Sequence, residues 1–162
     1  MLNLHGVLMQ IHDKGVLLMG PPGVGKSENA LALIARGHRL IADDCPVFSR
    51  TALGFIGKAQ EEQKGLLCVR PLGLIDVFSL FSQDALADEI TLDLMITLDN
   101  SVDKVAPQKL DLELDNKLVG GLAIPALTLP IASSHNVAIL IETAVKLAFM
   151  PKSQRVERFL TT

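Results

Sequence analysis

The sequence of 162 residues predicts an α/β fold: a phosphate-loop domain with a central mixed sheet flanked by helices. Three observations predict it. An apolar strand runs straight into a glycine-rich loop, and an amphipathic helix follows. The middle of the chain is strand-rich, with short apolar runs separated by turn signals. The strongest helical period in the chain comes near its C-terminal end.

Residues 6–11 read as a short strand, Asp13, Lys14 and Gly15 as a turn, and 16–19 as a second strand. The pair forms a hairpin that leads into the glycine-rich loop. Residues 27–36 read as a helix, with Ala30, Leu33 and Ile34 on one face and Gly37 at the position after its C-terminus. Residues 39–42 form the next strand, ending at Asp43 and Asp44, and His38 is expected to solvate its start. Residues 47–49 and 55–57 flank a turn at Leu53 and Gly54, and the apolar runs 66–69 and 72–75 are split by Pro71 and Gly73. Residues 76–81 suggest a short helix and 92–98 a strand, while 103–115 read as a polar loop or edge hairpin. Residues 126–129 are strand-like. Val137, Leu140, Ile141, Ala144, Val145 and Ala148 then recur at helical spacing, with Asn136 or Ser134 as the cap. Pro151 interrupts this helix, and a polar tail with a short last helix is expected. No repeat, low-complexity tract or linker divides the chain, so 1–162 is read as a single domain.

Apolar residues make up 49% and charged residues 20%, a globular composition. With no Trp or Tyr and six Phe, the core must rest on Leu, Ile, Val and Ala. A net charge of −3 and a pI near 5.8 argue against a nucleic-acid partner. No apolar run reaches the roughly 18 residues of a membrane span, and residues 137–150 are broken by Glu142 and Lys146. No membrane association is therefore expected. Cys45 and Cys68 show no metal-ligand spacing, and reduced thiols in a cytoplasmic protein are the expectation.

Gly20, Pro21, Pro22, Gly23, Val24, Gly25, Lys26 and Ser27 match G-x-x-x-x-G-K-[ST] in full. Glycines let the backbone curl around an anion, and the amides of Gly23, Val24, Gly25, Lys26 and Ser27 can point at phosphate oxygens. Pro21 and Pro22 have no N–H to donate and contribute stiffness. In this motif the lysine, Lys26, reaches the β- and γ-phosphates of ATP and the hydroxyl, Ser27, binds Mg2+. Asp43 and Asp44 end the strand after the loop helix, and ligands of open α/β sheets lie beyond the carboxyl ends of strands. One of the pair can hold Mg2+ while the other accepts a proton from an incoming hydroxyl. Solvated turn acids are the bland alternative. Asp99 is a rival Mg2+ carboxylate at the end of a later strand.

These residues carry a resemblance. His5 with Gly6, Val7 and Leu8, the loop with Glu28, and the run 36–44 resemble the HPr kinase/phosphorylase family. Residues 69–77 resemble that family's signature, and 124–144 its C-terminal part. The resemblance implies the catalytic core that this family shares with phosphoenolpyruvate carboxykinase, in a short form without the family's N-terminal domain. It implies phosphorylation of a serine on an HPr-like phosphocarrier, from ATP or pyrophosphate, with reversal by inorganic phosphate. It implies Lys26 as the catalytic phosphate lysine, Ser27 and Asp43 at Mg2+, Asp44 as the base toward the serine, and His5 as its support. A family arginine aligns with Lys104. A homo-oligomer, hexameric in the family, is also implied.

The sequence departs from the family's pattern in places. Cys68 stands where a magnesium-holding glutamate is usual, and a thiol is a poor ligand for a hard cation. Pro71 replaces a glycine. Ile131, Ala132, Ser133, Ser134, His135 and Asn136 stand at a basic segment linked to dephosphorylation, of which only Asn136 survives and His135 takes the place of an arginine, so phosphorolysis is expected to be weaker than phosphorylation. Two other readings are a small-molecule kinase and a nucleotide-binding regulator with reduced catalysis.

Overall fold

The computed structural model describes residues 2–101, 114–151 and 154. In chain order the strands are β1 (Leu2–Asn3), β2 (Val7–Ile11), β3 (Lys14–Met19), β4 (Arg39–Ala42), β5 (Val47–Thr51) and β6 (Gly54–Lys58). They continue with β7 (Leu66–Val69), β8 (Gly73–Asp76), β9 (Glu89–Asp99), β10 (Asp115–Val119) and β11 (Leu122–Pro130). The helices are α1 (Lys26–Ala35), α2 (Val77–Phe81) and α3 (Val137–Ala148). Lys104 and most of 103–115 lie outside the described residues, as does most of the tail after Pro151.

Among the described residues nine strands form one mixed sheet, and β7 and β8 form a separate hairpin. The long strand β9 organises the sheet. Its residues 89–91 pair antiparallel with β6, while the remainder pairs parallel with β3 and with β11. Beyond β3 the order continues through antiparallel β2 to antiparallel β4. Both faces are covered, which is why β2 and β3 are almost continuously apolar rather than alternating. Val7, Met9, Ile11, Val16 and Leu18 pack with α1 and α3 residues such as Leu33, Ile34, Ile141 and Val145. Leu8 and Leu17 face the other way, against Ile41, Phe48, Phe55 and Met95. Both long helices therefore cover one face, and strand residues fill the other.

Several elements differ from the sequence reading. The hairpin between β2 and β3 turns on His12 and Asp13, both left-handed at φ 51° and 65°, the two-residue geometry that matches strand twist. Gly15 is inside β3: a Cβ there would stand 1.9 Å from the Thr91 carbonyl oxygen. Its role is close approach to β9, not the turn. Asp115, the last residue of the segment read as a polar loop or edge hairpin, begins strand β10, which pairs with β11. Asn136, not Ser134, caps α3 by accepting the Ile139 amide at 3.4 Å. Asp76 caps α2. His38 does not solvate β4; its Nε2 meets Glu142 of α3 at 2.5 Å, and Arg36 holds the same carboxylate at 2.8 Å. No described helix is long and apolar enough to cross a membrane.

Candidate active site at the phosphate loop

Topology brings the candidate residues to one rim. Strand β2 is antiparallel to both β3 and β4, so β3 and β4 run the same way, and β9 and β11 run with them. The phosphate loop leaves the end of β3, Asp43 and Asp44 leave β4, Asp99 ends β9, and residues 131–136 leave β11. His5 and Gly6 enter β2 at the same rim. The carboxyl ends of the parallel strands thus converge where ligands of such sheets bind.

Val24 anchors the loop with a buried side chain, and its amide closes a turn onto the Pro21 carbonyl at 3.2 Å. That amide is used within the loop, unlike the free donor role expected for it. Gly25 is left-handed (φ 103°) and begins α1 with no side-chain cap. First-turn amides have no acceptor inside a helix, so those of Lys26, Ser27 and Glu28 remain as donors at the positive end of its dipole. The Lys26 ammonium folds back on the loop, donating to the Gly20 carbonyl at 2.5 Å and to that of Pro21 at 3.4 Å.

The Ser27 hydroxyl donates to Asp43 Oδ1 at 3.3 Å, which joins the first turn of α1 to the end of β4. The backbone amide of Cys68 donates to Asp43 Oδ2 at 3.0 Å. Burial pushes the Asp43 carboxyl above its ordinary range; the Cys68 amide and Ser27 hydroxyl pull it down, and the neighbouring Asp44 charge pushes it up. A hydroxyl and a carboxylate, both hard oxygen donors, fit magnesium, which takes one or two carboxylates together with phosphate oxygens. The exposed Cys68 thiol adds no hard ligand.

Asp44 is exposed and left-handed at φ 70°, a conformation that Asp tolerates better than most residues. Its carbonyl accepts the Gly6 amide at 2.8 Å. That bond sets His5, also exposed, one residue from the acid pair. No hydrogen bond joins the His5 ring to Asp44 among the described residues. The rival Asp99 is engaged locally: its carboxylate accepts the Ser101 amide at 2.9 Å and the Ser101 hydroxyl at 2.6 Å, which hold its carboxyl below the ordinary range. A cavity of about 620 Å³ lies elsewhere, against β4 between Lys64 and Asp88, and includes none of these groups.

Two contacts at the site were not readable beforehand. The bond from Cys68 comes from the backbone, so no side-chain motif signals it. The second is Asn29, whose side-chain amide donates to the Gly25 carbonyl at 2.7 Å.

Comparison with known proteins shows the family and the fold. The family model for the HPr serine kinase C-terminal domain matches residues 1–158. The chain is 40% identical over 144 residues to an HPr kinase/phosphorylase of Lactobacillus delbrueckii subsp. bulgaricus, covering 88% of this chain and 46% of that protein. It is 37% identical over 143 residues to one from Streptococcus pneumoniae, with the same shares covered. The chain thus spans about half the length of the curated relatives it matches. The solved HPr(Ser) kinase/phosphatase from Coxiella burnetii superposes with a TM-score of 0.84 at 31% identity, over 90% of this chain and 89% of that one.

Proposed function

Because the chain belongs to the HPr serine kinase C-terminal domain family, we propose that it transfers the terminal phosphoryl group of ATP to a serine hydroxyl of an HPr-like phosphocarrier. The observation that carries this reading is the bond from Ser27 to Asp43 with Asp44 next in the chain. It sets a phosphate loop, a metal-binding pair and a second, exposed carboxylate on one rim.

Each group has a role in this reading. The first-turn amides of α1 cradle the phosphates, and Lys26 exchanges its loop carbonyls for phosphate oxygens. Ser27 and Asp43 would hold magnesium, which would supply positive charge to the phosphates. Asp44 accepts the proton of the acceptor serine as the serine oxygen bonds to the γ-phosphorus. The bond from that phosphorus to the β,γ-bridging oxygen breaks, and ADP leaves. His5 assists Asp44 from the start of β2. Pyrophosphate is an alternative donor, since the loop addresses phosphates and not the nucleoside.

In the reverse direction an oxygen of inorganic phosphate bonds to the phosphoserine phosphorus, the bond from that phosphorus to the serine oxygen breaks, Asp44 returns a proton to that oxygen, and the pyrophosphate so formed departs. Residues 131–136 carry no Lys or Arg, and the His135 ring accepts the Ala132 amide at Nδ1, 3.0 Å away. Phosphorolysis is therefore expected to run slower than phosphorylation.

Transfer of labelled phosphate from ATP to an HPr-like carrier tests the proposal. Labelling of the carrier with its acceptor serine, and none after that serine is changed to alanine, is the expected result. ATP binding without any transfer to the carrier would contradict it.

A further inference from the structure

Gly25 opens α1 in a left-handed conformation, φ 103° and ψ 25°, with no side-chain cap. A glycine there has little to hold its torsions. Its carbonyl nevertheless accepts two hydrogen bonds from one residue. The Asn29 amide nitrogen lies at 3.0 Å, and the Asn29 side-chain Nδ2 lies at 2.7 Å. The first is the ordinary opening bond of a helix. The second is additional and shorter.

A trans peptide is planar, so the Gly25 carbonyl and the Lys26 N–H point in opposite directions. Whatever fixes that carbonyl toward the helix fixes the Lys26 amide away from it, toward the side where phosphates bind. Only two side chains donate to residues 20–25 among the described residues: Lys26, to Gly20 and Pro21, and Asn29, to Gly25. Lys26 must leave its loop carbonyls to reach a phosphate. The bond from Asn29 has no such conflict.

We propose that Asn29 is a positioning residue for phosphate binding: its side-chain amide locks the Gly25–Lys26 peptide so that the Lys26 N–H faces the phosphates. This rests on the phosphate-loop part of the proposed function and not on the identity of the acceptor protein. The role asks for a side-chain donor four residues after Gly25, not for asparagine as such. Threonine can supply it: the Thr143 hydroxyl donates to the Ile139 carbonyl, also four residues earlier, at 2.8 Å. Alanine cannot, although it is the better helix former.

The experiment measures binding of Mg-ATP and of magnesium pyrophosphate to the wild type, Asn29→Ala and Asn29→Thr by calorimetry, with thermal unfolding of each without ligand. Loss of one hydrogen bond's orienting effect corresponds to roughly a 3- to 10-fold weakening. Asn29→Ala is expected to weaken ATP and pyrophosphate by the same factor in that range, with no fall in Tm. Asn29→Thr is expected to bind within about twofold of the wild type. Wild-type affinity in Asn29→Ala, or weakening only in parallel with a lower Tm, would overturn the positioning role while leaving the functional proposal intact. A wild type that binds both ligands but labels no carrier would overturn that proposal, and the comparison of variants would still decide the role of Asn29.

Discussion

Changing Asp43 to Asn should separate the function of this carboxylate from its cost to the fold. Asp43 is set between two donors, the Ser27 hydroxyl at 3.3 Å and the Cys68 amide at 3.0 Å. An asparagine can keep both contacts: its oxygen accepts from Cys68, and its NH2 donates to the Ser27 oxygen. Little hydrogen bonding is lost. Burial raises the Asp43 carboxyl in the folded state, so the charged form is disfavoured there. A raised folded-state carboxyl contributes no penalty while it is protonated in both states. As pH rises above the ordinary carboxylate range, ionisation favours the unfolded chain. Asp43→Asn removes that penalty. With each hydrogen bond worth about 1 kcal/mol, and 1 kcal/mol equal to about 2–4 °C at this chain length, the ligand-free variant should melt at or up to roughly 4 °C above the wild type at pH 7. The difference should vanish near pH 3. Added magnesium and ATP should raise the Tm of the wild type much more than that of the variant, and phosphoryl transfer should fall by at least about 10³-fold. Thermal scans across pH, with and without ligand, and a transfer assay give all three readings. A loss of more than about 5 °C at pH 7, or retained magnesium-dependent transfer, would overturn this role for Asp43.

Three further outcomes follow from the same geometry. Glu142→Ala leaves His38 and Arg36 without their shared partner; the His38 and Glu142 side chains are 10% and 13% exposed, so that bond is well shielded. A charge-assisted bond of about 2 kcal/mol predicts a Tm lower by roughly 4–8 °C at neutral pH. Chiefly the Arg36 bond holds the Glu142 carboxyl below its ordinary range, so this stability is present above about pH 4.5 and lost on acidification; thermal scans from pH 7 to 3 should show the two proteins converging. Gly15→Ala drives a Cβ into the Thr91 carbonyl and should cost at least about 3 kcal/mol in a urea titration. Cys68→Glu adds a carboxylate to the strand residue whose amide holds Asp43, and should lower stability without metal while tightening magnesium about tenfold by calorimetry.

Much of the site was legible because its logic is local. The loop from Gly20 to Ser27 is contiguous, and Asp43 and Asp44 close the next strand, so motif and strand direction together place them on one rim. Asp43 ranks ahead of Asp99 in the sequence by its nearness to the loop helix; each ends a rim strand, and in the structure Asp43 bonds to Ser27 while Asp99 bonds to Ser101. Strands with apolar residues on both faces were readable from composition. Strand β10 was not, because four of its five residues are exposed and its sequence resembles a polar loop. Gly15 looked like a turn residue because sequence does not distinguish a left-handed glycine from one pressed against a neighbouring strand. His38 looked like a surface residue because its partner, Glu142, lies 104 positions away. Lys104 falls outside the described residues, so its place at the site stands on resemblance alone.

In the proposed transfer Asp44, the exposed carboxylate next to Asp43, takes the proton of an acceptor serine. Asp44→Asn tests it most directly, with ATP binding and single-turnover formation of phosphoserine on an HPr-like carrier measured on the same samples. Mg-ATP affinity is expected within about threefold of the wild type, and phosphoserine formation slower by about 10²- to 10⁴-fold. Phosphoserine formation at the wild-type rate would contradict it.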